Sequence, residues 1–282
     1  MSNDIRAVCV IGWPVEHSRS PLIHNFWIGQ HALAGEYRRE AVSPEEFPDF
    51  VKELARRGYA GANVTIPHKE VAMTLSQPDD RAEAVGAANT LWFEGDTLRS
   101  TNTDVEGFLA NLDQMAPGWD RGLDAAIVLG AGGASRAIVY GLLSRGVKTI
   151  RIANRTFARA QALRERFGAN VKPVKWDEVG GLLAGAGLVV NTTSLGMDGK
   201  PALDLRLEDL PKSAVVADIV YAPLVTPLLK EAKGLGLRHA DGLGMLLHQA
   251  VRGFSLWFGV TPEVTPELRA MVEADLVKPK AE

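Results

Sequence analysis

Between Ala125 and Arg145 the chain passes from an unbroken apolar run, Ala125–Leu129, through Gly130-Ala131-Gly132-Gly133-Ala134-Ser135 into a helical pattern. An apolar strand that enters a glycine-rich turn and then a helix opens a βαβ unit. It restricts the chain to folds whose parallel strands carry ligands at their carboxyl ends. The same alternation recurs throughout. Arg6–Gly12, Tyr37–Val42, Ala60–Ile66, Asn89–Phe93 and Leu98–Thr101 read as strands in the first part, with a turn at Glu94-Gly95-Asp96. Lys148–Ala153, Leu188–Thr192 and Ala214–Ile219 follow in the second. Helices are predicted from Ser20, read as an N-cap ahead of Pro21, to about Ala34, and from Ser43-Pro44-Glu45-Glu46 to near Gly58. Others are predicted over Val105–Met115, Gly133–Arg145, Phe157–Phe167 and most of the chain from Gly242 onward, with Pro117–Gly122 as a linker.

A length of 282 residues allows one large domain or two modest ones. A formal net charge of −3 removes the electrostatic case for nucleic acid or an anionic membrane as partner. Cys9 is the single cysteine and the six histidines are scattered, so neither a disulfide nor a metal-ligand spacing is expected. The first ten residues lack a basic segment followed by a long apolar one, and no apolar run approaches the ~20 residues of a bilayer span. These features predict a cytoplasmic protein without a membrane partner.

The glycine turn predicts a dinucleotide site. Gly130 allows the tight turn, Gly132 lets backbone approach a pyrophosphate, and Ser135 keeps the third position small. The amides of the helix start would hold the phosphates. An NAD enzyme usually carries Asp or Glu at the end of the next strand, roughly 20 residues on. Here Asn154-Arg155-Thr156 stands there, with Arg159 one helical turn later. No carboxylate repels a 2′-phosphate, and guanidinium is its preferred partner, so the residues favour NADP.

Four polar clusters mark the first half: His17-Ser18-Arg19-Ser20-Pro21, Asn63-Val64-Thr65-Ile66-Pro67-His68-Lys69, Gly86-Ala87-Ala88-Asn89-Thr90 and Asn102-Thr103-Asp104. All lie at predicted strand ends or loops, and their hydroxyls, carboxamides, ammonium and carboxylate suit a polyhydroxylated acid. In this order, followed by Gly-Ala-Gly-Gly-Ala-Ser, by Asn-Arg-Thr and by Asp241-Gly242-Leu243-Gly244-Met245-Leu246-Leu247-His248-Gln249-Ala250, they resemble the shikimate dehydrogenase family from Gly12 to about Gly259.

That resemblance implies an α/β protein of two domains. A substrate domain with a mostly parallel sheet, 1–104 plus 243–282, receives the C-terminal helices, and a Rossmann-like NADP domain spans 105–242. It implies NADPH-dependent, reversible reduction of 3-dehydroshikimate to shikimate, in aromatic amino-acid biosynthesis, by a monomer or homodimer. Lys69 and Asp104 would be the catalytic pair. Ser18 and Ser20 would hold the substrate carboxylate; Asn63, Thr65, Asn89, Asp104 and Gln249 its hydroxyls and carbonyl; and Tyr221 a further wall. Gly130, Ala131, Gly132, Gly133, Ala134, Asn154, Arg155, Thr156, Arg159, Thr192, Gly242 and Met245 would contact NADP. Where the family usually has glycine after Asn-Thr-Asp, this chain has Val105, which predicts an altered helix start beside Asp104.

The chemistry suits Lys69. Hydride arriving at a ketone carbon leaves negative charge on its oxygen, and an ammonium supplies both a proton and a compensating charge. Asp104 would orient the lysine. Two other readings compete: a quinate/shikimate dehydrogenase of relaxed substrate or cofactor choice, and a catalytically silent metabolite sensor. His68 reads as a structural hydrogen-bonding residue rather than an acid–base group, and the tryptophans as packing residues, with Trp13 near the serine loop.

Overall fold

A computed structural model describes residues Ile5–Val277. The chain divides into two compact units, one formed by residues up to Asp104 together with Leu247–Asp275, the other by Val105–Leu246.

The first unit carries β1 (Arg6–Gly12), α1 (Ser20–Gln30), β2 (Gly35–Ala41), α2 (Phe47–Lys52), β3 (Tyr59–Val64), α3 (Lys69–Thr74), β4 (Gln77–Pro78), α4 (Asp80–Val85), β5 (Thr90–Glu94) and β6 (Thr97–Thr101). Its sheet has the order β2-β1-β3-β5-β6-β4. Neighbours are parallel except where β5 meets β3 and β6. The cause is local: only Gly95 and Asp96 separate β5 from β6, and a two-residue link forces a hairpin. Gly95 takes the left-handed conformation that such a turn needs, at φ +60°.

That reversal places the polar clusters together. Asn63 near the end of β3 pairs with Thr90 at the start of β5, and Thr90 pairs with Thr101 at the end of β6. Ile11, near the end of β1, pairs with Val64. The ends of β1, β3 and β6 and the start of β5 therefore share one edge of the sheet, where parallel α/β folds place ligands. Below it, Cys9, Ile11, Phe47, Phe50, Leu54, Val64 and Leu91 form a buried apolar cluster.

In the second unit follow α5 (Asp104–Met115), whose first residue belongs to the first unit, β7 (Ala125–Leu129), α6 (Gly133–Ser144), β8 (Thr149–Ala153), α7 (Phe157–Phe167) and β9 (Val171–Val174). Then come β10 (Leu188–Asn191), β11 (Val215–Asp218), α8 (Pro227–Gly234) and β12 (Arg238–Ala240). All pairings in the order β12-β11-β10-β7-β8-β9 are parallel. Ala126 and Val128 enter one apolar cluster and Ile127 and Leu129 another, so β7 is covered on both faces and reads as a continuous apolar run. The strand order reverses direction between β7 and β10. Such a switch point leaves a crevice at the carboxyl ends of the strands. The chain ends in α9 (Gly242–Phe258) and α10 (Pro266–Leu276).

Two expectations need correction. Ser20 is not an N-cap: Arg19 holds that position, Ser20 is the first helical residue, and Ser18 Oγ accepts from the Ser20 backbone N–H at 3.3 Å. Ser18, two residues earlier, thus engages the first helical N–H. The helix expected to reach Gly58 is six residues long and ends at Lys52, after which turns lead into β3. Nor does it begin at Ser43: α2 starts at Phe47 with Glu46 as N-cap, and the contacts of Ser43 Oγ with Glu46 Oε2 and of Glu46 N–H with Ser43 Oγ lie in the turn before it. Among the described residues, no helix is long and apolar enough to cross a membrane, and no group of His, Cys, Asp and Glu could hold a metal ion.

Candidate active site

The first unit carries a lysine–carboxylate pair at the sheet edge. Lys69 opens α3, directly after the corner that leaves β3, and its Nζ lies 2.5 Å from Asp104 Oδ2. The two side chains are 22 % and 10 % exposed, so the pair is shielded yet reachable. Asp104 is fixed from behind. Its Oδ1 accepts from Asn89 Nδ2 at 2.9 Å, and its backbone N–H donates to Asn102 Oδ1 at 3.1 Å. Asn102 in turn donates to the Ala87 carbonyl. Asn89 Oδ1 accepts from Thr103 N–H at 2.8 Å and from the Thr103 and Thr90 hydroxyls. A carboxamide held by this many partners has one orientation, and it aims Nδ2 at the carboxylate.

Asn63 is 5 % exposed and similarly bound. Its Nδ2 donates to the Asn89 carbonyl and to Thr90 Oγ1, and its Oδ1 accepts from the Tyr37 hydroxyl at 2.6 Å. Thr65 stands just past β3, where its Cγ2 closes over Gly12; a Cβ on Gly12 would sit 2.4 Å from it. Gln249, 8 % exposed, accepts through Oε1 from Thr103 Oγ1 at 3.4 Å, which brings a residue of α9 to the same network. Ser18 lies in the loop after β1, and its carbonyl accepts two bonds from the Arg39 guanidinium.

His68 is buried, its ring stacked on Phe47 at 4.2 Å and its Nε2 bonded to the Val42 carbonyl at 2.8 Å. Burial lowers its pKa and holds the ring neutral. It is a structural residue, as the sequence predicts. Trp27, Trp119 and Trp257 are buried packing residues, whereas Trp13 is half exposed and its backbone N–H donates to the Ile66 carbonyl.

In the second unit the glycine turn sits at the strand-order switch. Gly130 has φ +107°, and a Cβ there would lie 2.6 Å from Thr192 Oγ1, so both conformation and space demand glycine. Gly132 and Gly133 face open space. Their missing side chains clear an approach to the N-terminus of α6, which begins at Gly133. Ser135 Oγ accepts from Gly132 N–H and pairs with Thr192 Oγ1 at 2.6 Å; Thr192 Oγ1 donates to the Leu129 carbonyl. Thr192 therefore braces the turn. Ala131 N–H donates to Asn154 Oδ1 at 3.2 Å, which ties the turn to the end of β8. Arg155, Thr156 and Arg159 are exposed around the start of α7. The donor set fits a dinucleotide phosphate: open backbone at a helix N-terminus, two guanidiniums and no carboxylate among them.

Gly242 is glycine because a Cβ would meet the Ile219 carbonyl oxygen at 2.3 Å, and Met245 packs into an apolar cluster with Phe108 and Leu112. Tyr221 follows Asp218, whose carboxylate accepts from Asn191 Nδ2, Val220 N–H and Thr226 Oγ1. Burial pushes Asp218 up to about 6. Val105 is buried and stands beside Gly141, and α5 begins at Asp104.

The sequence missed Tyr37. It sits inside a strand with no motif around it, and nothing local reveals that its hydroxyl reaches Asn63. The only signal was its type, since a buried tyrosine usually finds a hydrogen-bond partner.

Comparison with known proteins agrees with this geometry. Residues 10–91 match the model of the shikimate dehydrogenase substrate binding domain. Residues 121–219 match that of shikimate / quinate 5-dehydrogenase, and residues 242–271 that of the shikimate 5′-dehydrogenase C-terminal domain. A shikimate dehydrogenase (NADP(+)) of Nitrobacter hamburgensis is 64 % identical over 271 residues, 96 % of this chain and 95 % of the relative. The crystal structure of shikimate 5-dehydrogenase from Thermus thermophilus, in complex with NADP(H) and shikimate, superposes with a TM-score of 0.85. Identity is 35 %, covering 97 % of this chain and 100 % of that one. A quinate dehydrogenase from Corynebacterium glutamicum in complex with NAD reaches a TM-score of 0.88 at 31 % identity, covering 96 % and 99 %. With three family models in order along one chain and a relative this similar over nearly its full length, the chain belongs to the shikimate dehydrogenase family.

Proposed function

We propose that this protein catalyses the reversible, NADPH-dependent reduction of 3-dehydroshikimate to shikimate, a step of aromatic amino-acid biosynthesis. The observation that carries the reading is the shielded Lys69–Asp104 pair, 2.5 Å apart, at a sheet edge lined with carboxamides and hydroxyls. When bound, NADPH supplies the hydride. As the carbonyl carbon becomes tetrahedral, charge gathers on its oxygen, and Lys69 Nζ gives that oxygen a proton. Asp104 holds Lys69 on one carboxylate oxygen while Asn89 holds the other, so the ammonium is oriented before substrate arrives. In the oxidation direction Lys69 takes the proton back. Ser18 and Ser20 bind the substrate carboxylate; Asn63, Thr65, Asn89 and Gln249 receive its ring hydroxyls. Gly132, Gly133 and Ala134 accommodate the pyrophosphate, and Arg155, Thr156 and Arg159 the 2′-phosphate. An NADPH-linked biosynthetic reaction fits a cytoplasmic enzyme.

The test is kcat/KM for shikimate and for quinate, each with NADP and with NAD, followed by nicotinamide absorbance. The expected order puts shikimate with NADP first by at least tenfold. No oxidation of shikimate with NADP, or a preference for quinate with NAD, would overturn the proposal.

A further inference from the structure

Ser18 and Ser20 are assigned to a carboxylate, yet both are neutral, and an anion drawn partly out of water needs an opposing charge. The start of α1 offers little of one. Its first amide, Ser20 N–H, donates to Ser18 Oγ at 3.3 Å, and Pro21 after it has no amide proton. Two guanidiniums reach the loop, and they differ. Arg19 is committed: its Nε forms an ion pair with Asp275 Oδ2 at 2.6 Å, and Nη1 donates to the His17 carbonyl at 3.0 Å. Arg39 has no acidic partner among the described residues. Its Nε and Nη2 both donate to the Ser18 carbonyl, at 3.1 and 2.7 Å. Glu16, the nearest acid along the loop, turns back onto the Val15 N–H at 3.1 Å.

Strand geometry explains the reach. β2 runs parallel to β1, and Arg39 pairs in register with Val10, near the end from which the serine loop departs. Successive side chains of a strand alternate between faces, so Arg39 shares the face of Tyr37, whose ring stacks on His24 of α1 at 4.2 Å. Arg38, between them, lies over the Tyr59 ring on the other face. Arg39 therefore comes up on the helix side, where the loop enters α1. Its fork fixes the Ser18 peptide, whose N–H donates to the Val15 carbonyl at 3.0 Å. With Ser18 Oγ accepting from Ser20 N–H, the hydroxyl proton of Ser18 is left to give to a ligand. The same fork holds a permanent cation against the residue that meets the anion.

We propose that Arg39 is a positioning residue and the counter-charge of the substrate carboxylate, acting through the Ser18 peptide and through its own field. It thereby selects acids over neutral analogues at that subsite. The proposal rests on the assignment of Ser18 and Ser20 to the carboxylate.

The test measures kcat and KM for shikimate with NADP, and dissociation constants for shikimate and its methyl ester, on the whole protein. In Arg39→Gln, which keeps donors but no charge, KM and Kd for shikimate should rise about fivefold or more, with kcat changed less than about twofold. Kd for the neutral ester should also change less than about twofold. Arg39→Lys returns the charge without the fork and should recover at least about half of the loss on a logarithmic scale. Arg39 is exposed, so salt screens it. Raising salt from about 20 to about 500 mM should weaken shikimate binding about threefold or more in the wild type, and less than about 1.5-fold in Arg39→Gln. Equal losses for acid and ester would reduce the arginine to a loop brace and overturn the proposal. An unchanged KM would overturn it too, as would wild-type binding indifferent to salt, an arm that needs no variant. Ser18→Ala separates the proposal from the reading beneath it. If that variant binds shikimate weakly and Arg39→Gln binds it normally, the serine assignment stands and the counter-charge falls. If Ser18→Ala binds shikimate as the wild type does, the serine assignment falls and the counter-charge with it.

Discussion

Replacing Lys69 with methionine keeps an unbranched apolar stem in place while removing the ammonium, and its consequences separate chemistry from packing. A general acid contributes about 10²–10⁴-fold to turnover. At about 1.36 kcal/mol per decade, that is about 3–5 kcal/mol of transition-state stabilisation. The structure adds a second effect. Asp104, its side chain 10 % exposed, would lose the cation 2.5 Å away and keep the Asn89 amide at 2.9 Å. Removing one partner of a fully buried ion pair costs about 3–5 kcal/mol. Because the Lys69 side chain is 22 % exposed, solvent screens part of this and about 1–2 kcal/mol is expected. At about 2–4 °C per kcal/mol, melting should fall by about 2–8 °C. Lys69→Met combined with Asp104→Asn relieves the unpaired charge, so it should regain most of the lost stability and none of the turnover. Initial rates of shikimate oxidation, read by nicotinamide absorbance, and thermal melts of both variants check this. Turnover of Lys69→Met within tenfold of wild type would remove the lysine from proton transfer. Equal recovery of rate and stability in the double variant would show the pair to be structural.

Gly130→Ala should lose about 1–3 kcal/mol, because φ +107° strains an alanine and its Cβ would press on Thr192 Oγ1; an unchanged melting temperature would contradict the account. Arg155→Ala and Arg159→Ala together should lower kcat/KM with NADP by at least tenfold while changing it less than twofold with NAD, since only NADP carries the 2′-phosphate. Equal losses with both cofactors would place the arginines elsewhere. Asp218 has its folded pKa raised to about 6, above an unfolded value of about 3.9. The native state therefore binds the proton more tightly, so stability from this group is present below pH ~4 and is lost as pH rises toward ~6. The melting temperature of Asp218→Asn minus that of wild type should therefore increase across that window; a flat difference would refute the burial argument.

Long elements were readable because their patterns repeat. Arg6–Gly12, Ala125–Leu129 and Phe157–Phe167 have the predicted bounds. The stretch from Lys69 to Gly86 had no reading beyond its end motifs, and it holds two six-residue helices and the two-residue strand β4. Segments that short carry less than two turns or one alternation, so periodicity cannot separate them from loops. Ser20 was misplaced by one position for a related reason: Ser18 and Ser20 are both cap-type residues before Pro21, and only the fold decides which one bonds a free amide.

The α/β class, the glycine turn at the start of the dinucleotide site, the absence of an acid after β8 and the four polar clusters are legible along the chain, because each is written in adjacent residues. That those clusters share an edge follows from the folded sheet, through the two-residue hairpin that sets β5 antiparallel to its neighbours. The fold brings Lys69, paired with Asp104 in sequence only by resemblance, within 2.5 Å of it across 35 positions, and carries the Tyr37 hydroxyl across β1 to Asn63, which no motif announced. Hydrogen bonds act over about 3 Å of space whatever the separation along the chain, so only strand order and register bring such partners into reach.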